Sequence, residues 1–219
     1  MSLIDSSDRS LLLVFDDRIS PPAHRDVLRL TPLLQSVRGV TNVHPAYASI
    51  LIDFDPRAVR HFEVERAATE LFAQAARATL PEPRTVEIPV AYGGEYGPDL
   101  DAVAALTGHT SDEVVAMHCG AEYLVYFLGF SPGFPYLGGL PESIAAPRLD
   151  TPRRRVPAGS VAIGGSQTGV YPMASPGGWR IIGRTPLRLF DPGADPPVLL
   201  QMGDHVRFVP LDKVVGQVG

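Results

Sequence analysis

The sequence predicts two domains, a small α+β domain over residues 1–83 followed by a β-barrel over residues 84–219. Three observations predict this division. Helix and strand patterns alternate in the first 80 residues, whereas short apolar segments separated by Gly/Pro turns dominate the rest. Twenty of the 21 glycines lie after residue 90. Two prolines within residues 80–84 favour a stiff, extended connector.

The first domain follows a β-α-β-β-α-β pattern. An apolar run suits a buried strand, two prolines suit the start of a helix, and Gly39 is placed to cap that helix at its C-terminus. The predicted elements, in order, are a strand at 11–15, a helix at 21–36, strands at 40–44 and 49–54, a helix at 64–79 and a closing strand at 86–90. This order is typical of the split-βαβ, or ferredoxin-like, fold, which needs no cofactor.

The second domain begins with two short helices. Asp99 can cap a helix over 100–107, and Thr110 or Ser111 with Glu113 can start another that ends near residue 119. A β-rich strand at 122–128 follows. The remaining short apolar segments, each bounded by turn residues, predict the strands of a barrel at 160–163, 169–171, 180–182, 187–190 and 205–209.

Composition excludes several classes of protein. The net charge of −5 and the 45% apolar content argue against a disordered protein and a nucleic-acid coat. A single cysteine, Cys119, excludes a disulfide scaffold and a cysteine-based zinc site. Neither an 18-residue apolar run nor a basic N-terminal leader is present, so we expect a cytoplasmic protein with no membrane or nucleic-acid partner. Lys213, the one lysine, is a poor candidate for a lysine-based mechanism.

Charge is unevenly distributed within the second domain. Residues 86–142 contain eight acidic side chains and no lysine or arginine, whereas residues 143–188 contain seven arginines and one acid, Asp150. Two interpretations stay open. The arginines could gather around an anion, or they could form a mixed surface with intramolecular ion pairs.

Three glycine- and proline-rich motifs, at residues 129–137, 151–172 and 175–183, carry a family resemblance. Together with the rest of the chain, they resemble the 5-oxoprolinase B subunit (PxpB-type) family. This family is also described as allophanate hydrolase subunit 1-like or kinase A inhibitor (KipI)-like, with a carboxyltransferase domain of the subdomain A/B type. Long ordered motifs of this kind are far more specific than a single glycine-rich loop.

The resemblance implies a ferredoxin-like domain followed by a cyclophilin-like barrel. It also implies one component of an ATP-dependent 5-oxoprolinase, a hydrolase that opens 5-oxo-L-proline to L-glutamate together with the A and C subunits of the enzyme. The chain would be inactive alone, ATP and Mg²⁺ would bind in the complex, and no metal would be caged by the protein. Two alternatives stay open: a biotin-dependent urea or amide carboxyltransferase-like module, and a non-enzymatic inhibitor of a sensor histidine kinase.

The candidate catalytic residues are His118 and Arg153. Each lies at a position where the family motif carries the same residue type. Histidine suits proton transfer near neutral pH, and arginine suits planar anions. A packing histidine and a solvated charge run are the competing interpretations. The substrate- or anion-binding candidates are Arg155 and the polar Gly-rich loop with the tyrosine that follows it, namely Gly165, Ser166, Gln167, Thr168 and Tyr171.

A further set of residues is expected to form the pocket wall. Their shared features are aromatic rings that can line a cavity and turn residues that let another molecule approach closely. They are Phe134, Tyr136, Pro176, Gly177, Gly178 and Trp179. The competing interpretation places the aromatic rings in the barrel core, and a tight turn competes with the anion-binding loop.

Overall fold

The computed structural model describes residues 1–75, 80 and 82–211. The chain divides into two compact units, Met1–Glu82 and Pro83–Gly219. The predicted end of the second helix at residue 79, and Lys213, lie outside the described residues. No described helix has both the length and the apolar character that crossing a membrane requires.

The first unit is a four-stranded antiparallel sheet with two helices. The strands are β1 (Ser2–Ser7), β2 (Ser10–Val14), β3 (Val40–Pro45) and β4 (Ser49–Phe54), and the helices are α1 (Pro21–Leu34) and α2 (His61–Ala75). The sheet order is β1-β2-β4-β3. Strand alternation places the apolar side chains Leu11, Leu13, Ile50 and Ile52 in the core, fully buried.

Local signals explain α1. Ser20 is its N-cap and accepts a hydrogen bond from the Ala23 backbone N–H, with prolines in the first turn. The helix ends at Leu34, several residues before Gly39, so the predicted cap is wrong. Gly39 has φ 82° in the turn before β3, and a Cβ atom there would lie 2.6 Å from the Val59 side chain.

The predicted closing strand of the first domain is also wrong. Residues 86–90 lie in β5 (Thr85–Tyr92), which belongs to the barrel of the second unit. The fourth strand of the first sheet is β1, which pairs antiparallel with β2. Most of β1 is polar and exposed, so it carries no hydrophobic signal from which a strand could be predicted.

The second unit contains a closed seven-stranded barrel, as predicted, in the order β10-β7-β6-β13-β5-β12-β9. A separate two-stranded sheet pairs β11 with β8. The elements after β5 are α3 (Leu100–Thr107), α4 (Ser111–Gly120), β6 (Tyr123–Leu128), β7 (Pro135–Gly138), a 3₁₀ turn (Glu142–Ile144), β8 (Arg153–Val156), β9 (Ser160–Gly164), β10 (Gln167–Val170), β11 (Ser175–Gly177), β12 (Arg180–Arg184) and β13 (His205–Pro210).

Two predicted details of this unit differ from the structure. Residues 187–190 form no strand; Phe190 makes only an isolated bridge to Val198. Asp99 precedes α3 but makes no side-chain capping hydrogen bond. By contrast, Thr110 caps α4 with a complete capping box, in which Glu113 accepts a hydrogen bond from the Thr110 backbone N–H.

The barrel wall separates two apolar clusters. Along β9, Val161 and Ile163 point into the barrel core, whereas Ala162 points to a second cluster on the outer face. On β12, Ile182 and Ile181 divide in the same way. This alternation decides which candidate site residues can meet.

Candidate functional site

An aromatic cluster on the outer face of the barrel wall contains all three aromatic rings predicted for the pocket wall, together with Tyr171, a predicted anion-binding residue. Phe134 lies at its centre, and Tyr171 and Trp179 are also buried there, with Tyr136 packed against them. The centroid of the Phe134 ring lies 5.2 Å from that of Tyr136, 5.3 Å from Tyr171 and 5.7 Å from Trp179, in edge-to-face geometry. The structure therefore brings these four predicted residues together.

Arg153 lies beside this cluster and is held by a carboxylate. Its Nη2 atom donates to Oδ1 of Asp99 at 2.7 Å. Asp99 is buried, and its Oδ2 accepts the backbone N–H of Ile181 at 2.7 Å. Nη1 of Arg153 is buried without a hydrogen-bond partner among the described residues. Buried donors in folded proteins are nearly always hydrogen-bonded, so an unpaired Nη1 is unusual. This guanidinium therefore has a donor that the described residues do not use.

A second arginine, Arg148, extends the positive charge. Its guanidinium carbon lies 5.7 Å from the centroid of the Trp179 ring, in a cation–π arrangement. Burial raises the pKa of Tyr171, and the charges of Arg148 and Arg153 partly oppose that rise. The phenol is therefore neutral near pH 7 and can donate a hydrogen bond, next to two cations. Such a group of donors is suited to a carboxylate or another planar anion.

Glycines allow the close packing of this cluster. A Cβ atom on Gly177 would lie 2.3 Å from the Tyr171 hydroxyl oxygen, and one on Gly164 would lie 2.5 Å from the Trp179 indole. Gly178 differs, because the nearest atom to a Cβ there would be in the Pro152 ring, at an ordinary 3.5 Å. At two positions of the predicted motifs, Gly164 and Gly177, a side chain would therefore clash with an aromatic residue. The sequence alone did not show this requirement for glycine.

His118 lies elsewhere, in the barrel interior. Its ring is fully buried, and its centroid lies 4.5 Å from that of Phe208. The Tyr123 hydroxyl donates to the His118 backbone carbonyl at 2.8 Å. Burial lowers the pKa of His118 to about 3, so the imidazole is neutral at physiological pH.

A buried hydrogen-bond chain fixes the tautomer of His118. The Thr168 hydroxyl donates to the Ala162 carbonyl at 3.1 Å, so it accepts from Nε2 of His118 at 2.9 Å. Nδ1 is then the acceptor for the Tyr92 hydroxyl, at 2.7 Å. The Cys119 thiol donates to the Tyr92 oxygen at 3.3 Å. Both ring nitrogens are satisfied inside the fold.

The structure does not bring His118 and Arg153 together. Thr168 points into the barrel toward His118, whereas the next residue, Gly169, faces the Phe134 and Trp179 rings on the outer face. The wall formed by β9 and β10 separates the two candidates. Their proposed catalytic roles stay predictions, but one substrate cannot contact both side chains in this conformation.

The polar Gly-rich loop is a two-residue hairpin turn between β9 and β10. Gly165 has φ 67°, as the first turn residue of a type II′ hairpin requires. Its N–H donates to the Ala146 carbonyl at 2.8 Å and is therefore not free to bind an anion. Ser166 is exposed, Gln167 is partly buried, and Thr168 belongs to the interior chain.

The remaining candidates lie on the surface. Arg155 and Pro176 are exposed, while Arg153 is partly buried on the same strand as Arg155. Sequence reasoning missed Asp99 and Arg148 as parts of the site. The signal for Arg148 was its place among the seven arginines of residues 143–188. Asp99 showed only the local pattern of a helix cap, and its contact with Arg153 depends on the fold.

A possible metal-ligand group occurs outside this site, in the first unit. Asp5, His61 and Glu65 lie within reach of one another, with His61 Nδ1 3.2 Å from Glu65 and Nε2 3.5 Å from Asp5. The two carboxylates lie near opposite nitrogens of the His61 ring. His61 could therefore bind a metal ion shared with only one of them through a given nitrogen. Only the contact between Nδ1 and Glu65 is a hydrogen bond; Nε2 of His61 is buried without a hydrogen-bond partner among the described residues.

Comparison with known proteins identifies the family. Residues 1–200 match the family model described as carboxyltransferase domain, subdomain C and D. The chain is 45% identical to the B subunit of 5-oxoprolinase from Escherichia coli O157:H7 over 93% of both chains. It is 42% identical to the B subunit of 5-oxoprolinase from Bacillus subtilis (strain 168), over 94% of this chain and 91% of that one. The chain belongs to the 5-oxoprolinase B subunit family.

The match to subdomains C and D corrects the expected subdomain A/B type. Among solved structures, the protein TTHA0988 superimposes with a TM-score of 0.82 at 38% identity, over 93% of this chain. This chain spans only 40% of the length of that protein. The Kluyveromyces lactis urea amidolyase matches with a TM-score of 0.74 at 21% identity, over 95% of this chain and 15% of that one, which shows a shared fold.

Proposed function

We propose that this chain is the B subunit of an ATP-dependent 5-oxoprolinase, acting with the A and C subunits to convert 5-oxo-L-proline to L-glutamate. The observation that carries this proposal is the 42–45% identity to proteins named as B subunits of 5-oxoprolinase, over more than nine-tenths of each chain. The finer fold assignment, ferredoxin-like for the first unit and cyclophilin-like for the barrel, and a cytoplasmic location form part of the same proposal.

The outer-face site suits one part of this chemistry. A lactam carbonyl is a poor electrophile, so the reaction needs a fixed substrate carboxylate and donors directed at developing negative charge. Arg153, oriented by Asp99, and Arg148 over Trp179 supply fixed positive charge, and the neutral Tyr171 hydroxyl supplies a donor. In this proposal they bind and orient the substrate anion.

Binding of ATP and Mg²⁺ is assigned to the complex rather than to this chain. The Gly-rich loop does not fit a phosphate cradle, because the Gly165 N–H is already bonded to Ala146. The Asp5–His61–Glu65 group, the one metal-ligand cluster in the described ranges, belongs to the other unit. ATP would supply the phosphoryl group that activates the lactam oxygen.

The proposal is tested by reconstitution. The chain would be purified alone and with the A and C subunits, and ATP hydrolysis would be measured with and without 5-oxo-L-proline. We expect 5-oxoproline-dependent hydrolysis only in the complete mixture. Arg153→Gln should lower it strongly, whereas Arg154→Gln, one residue away and exposed, should not. A complete mixture with no dependence on 5-oxoproline would refute the proposal.

A carboxyltransferase-like module is the second candidate, favoured by the description of the matching family model. The same preparation would be assayed with urea and carboxybiotin. Transfer of the carboxyl group to urea, without any 5-oxoproline-dependent ATP hydrolysis, would favour this candidate over the first.

A further inference from the structure

The His61 ring lies between two carboxylates in the first unit. Its Nδ1 atom is 3.2 Å from Oε1 of Glu65, and its Nε2 atom is 3.5 Å from Oδ1 of Asp5. An ionised carboxylate accepts hydrogen bonds but donates none, and a neutral imidazole has a single N–H. Only one of the two ring nitrogens can therefore donate to its carboxylate. The other nitrogen presents a lone pair to a group that also offers only lone pairs.

Hydrogen bonding places the ring proton on Nδ1. The contact between Nδ1 and Glu65 is a hydrogen bond, whereas Nε2 is buried and has no hydrogen-bond partner among the described residues. Helical spacing explains the first contact, because His61 and Glu65 are four residues apart on α2 and share one face of that helix. Nε2 is therefore an unused acceptor that lies beside Asp5.

The fold fixes the orientation of the ring. The His61 ring packs edge-on against the Phe54 ring, with 5.2 Å between the centroids and 81° between the planes. Phe54 is itself buried, so it holds the imidazole in place. Asp5 belongs to the edge strand β1, whose pairing with β2 is irregular between Asp5 and Ser7. Irregularities of this kind redirect side chains and are common beside functional sites.

The separation of Nε2 from the Asp5 carboxylate matches that of two ligands of one metal ion. Zinc binds histidine nitrogen and carboxylate oxygen at about 2.0–2.2 Å in tetrahedral geometry, which puts neighbouring ligand atoms about 3.3 Å apart. The observed 3.5 Å is close to this value. It is long for a charge-assisted hydrogen bond, which spans about 2.7–2.9 Å. The Glu65 contact completes the arrangement, since a metal-bound histidine almost always donates its other N–H to a carboxylate, a carbonyl or water.

We propose that Nε2 of His61 and the Asp5 carboxylate bind a divalent transition-metal ion of the zinc type, with Glu65 holding the ring in the required tautomer. Imidazole together with carboxylate favours Zn²⁺ over Mg²⁺ and Ca²⁺, which prefer oxygen ligands alone. The Asp5 side chain is 72% exposed, so the ion can enter from solvent and water can fill its remaining positions. Such an ion joins β1 to α2. The inference is independent of the proposed function, which assigns Mg²⁺ to the complex.

Zinc binding by the full chain tests this site. The chain would be purified without a histidine tag, treated with a chelator and titrated with ZnCl₂ in a calorimeter. We expect one saturable site per chain. Asp5→Asn should weaken its affinity at least about tenfold, and His61→Gln should abolish binding. Because Asp5 is exposed, Asp5→Asn should melt at the same temperature as the metal-free wild type.

Variants of Glu65 test its role as the group that orients the ring. Glu65→Ala removes the acceptor for Nδ1–H and should weaken zinc binding about tenfold. Glu65→Gln keeps an acceptor oxygen and should recover most of the affinity. His44→Gln is the matched control, because His44 lies in the same unit and its Nε2 is already hydrogen-bonded to Asp53 at 3.0 Å. This control should bind zinc like the wild type.

Three results would overturn the inference. The first is an absence of saturable zinc binding, in which case NMR detection of N–H protons on both nitrogens of His61 would identify a proton in place of the ion. The second is an unchanged affinity in Asp5→Asn, which would show that zinc binds elsewhere. The third is an equal loss of affinity in His44→Gln, which would show that zinc does not distinguish the two histidines.

Discussion

Nη2 of Arg153 lies 2.7 Å from Oδ1 of Asp99, and this contact joins β8 to the start of α3. The Arg153 side chain is 29% exposed and that of Asp99 only 10%. Asp99 also accepts the Ile181 N–H, so one buried carboxylate holds three segments of the second unit together.

Asp99→Asn should lower the free energy of unfolding by about 1–3 kcal/mol, because the amide loses the ionic hydrogen bond to Arg153. Urea denaturation of the isolated chain would measure this loss. In a double-mutant cycle with Arg153→Gln, the coupling energy should reach about 1 kcal/mol. Arg154→Gln is the control and should show coupling near zero; equal coupling for both arginines would contradict a specific Asp99–Arg153 contact.

Gly177→Ala and Gly178→Ala should behave differently although they are adjacent. The first places a methyl group 2.3 Å from the Tyr171 hydroxyl, and the second makes only an ordinary 3.5 Å contact with Pro152. We expect a loss of about 1–3 kcal/mol for Gly177→Ala and much less for Gly178→Ala. Thermal unfolding, followed by the fluorescence of the single tryptophan, Trp179, would measure both. Equal losses would mean that the packing around Tyr171 is looser than the structure shows.

Thr168→Val should destabilise the barrel, since it leaves Nε2–H of His118 buried without an acceptor while nearly conserving volume. A loss of about 1–3 kcal/mol in the free energy of unfolding is expected. Thr168→Ser keeps the hydroxyl and should recover most of the loss attributable to the hydrogen bond. If valine is tolerated as well as serine, the chain of hydrogen bonds through His118 contributes little.

Stability should fall as the pH is lowered from 7 to 5. His118 has a folded pKa of about 3, below the ordinary value near 6.5, so the unfolded state binds the proton first. Its contribution is complete above pH 6.5 and is lost as the pH falls toward 3. Between pH 7 and 5 this amounts to about 2 kcal/mol. Burial also lowers the pKa of His24, to about 4, which adds to the loss in the same direction.

Urea denaturation at several pH values would measure this dependence, and NMR would test its cause. The His118 ring signals should stay constant between pH 7 and 5 in the folded protein. A midpoint near 6.5 for these signals would show that the ring accepts a proton inside the fold.

Local patterns in the sequence predicted several elements well. The strand β4 (Ser49–Phe54) contains the apolar run Ile50, Leu51 and Ile52, and the capping box of Thr110 and Glu113 marks the start of α4. These signals are complete within a few residues. The closed barrel was likewise predicted from repeated short apolar segments, although its strand β7 was missed. The strands β8 and β11 of the separate two-stranded sheet were missed as well, because all three are short and rich in glycine, proline or arginine.

The site could be predicted only in part. The aromatic rings named for the pocket wall lie in motifs that are close in sequence and pack together in one buried cluster, while their role as a pocket wall stays a prediction. Whether His118 and Arg153 lie in one site could not be predicted from sequence proximity. His118 lies on α4 and Arg153 on β8, neither of which is a strand of the barrel, so their separation depends on packing between segments distant in sequence.

The parallel pairing of β13 with β5 has a consequence for how the barrel is completed. Six residues of β13, from His205 to Pro210, pair with residues 85–90, and the opposite edge of β13 pairs with β6. The first and last strands of the ring are thus neighbours, separated by more than a hundred residues of chain. A polypeptide that ended before His205 would expose the edges of both β5 and β6, and the ring would become an open sheet prone to pairing with other chains.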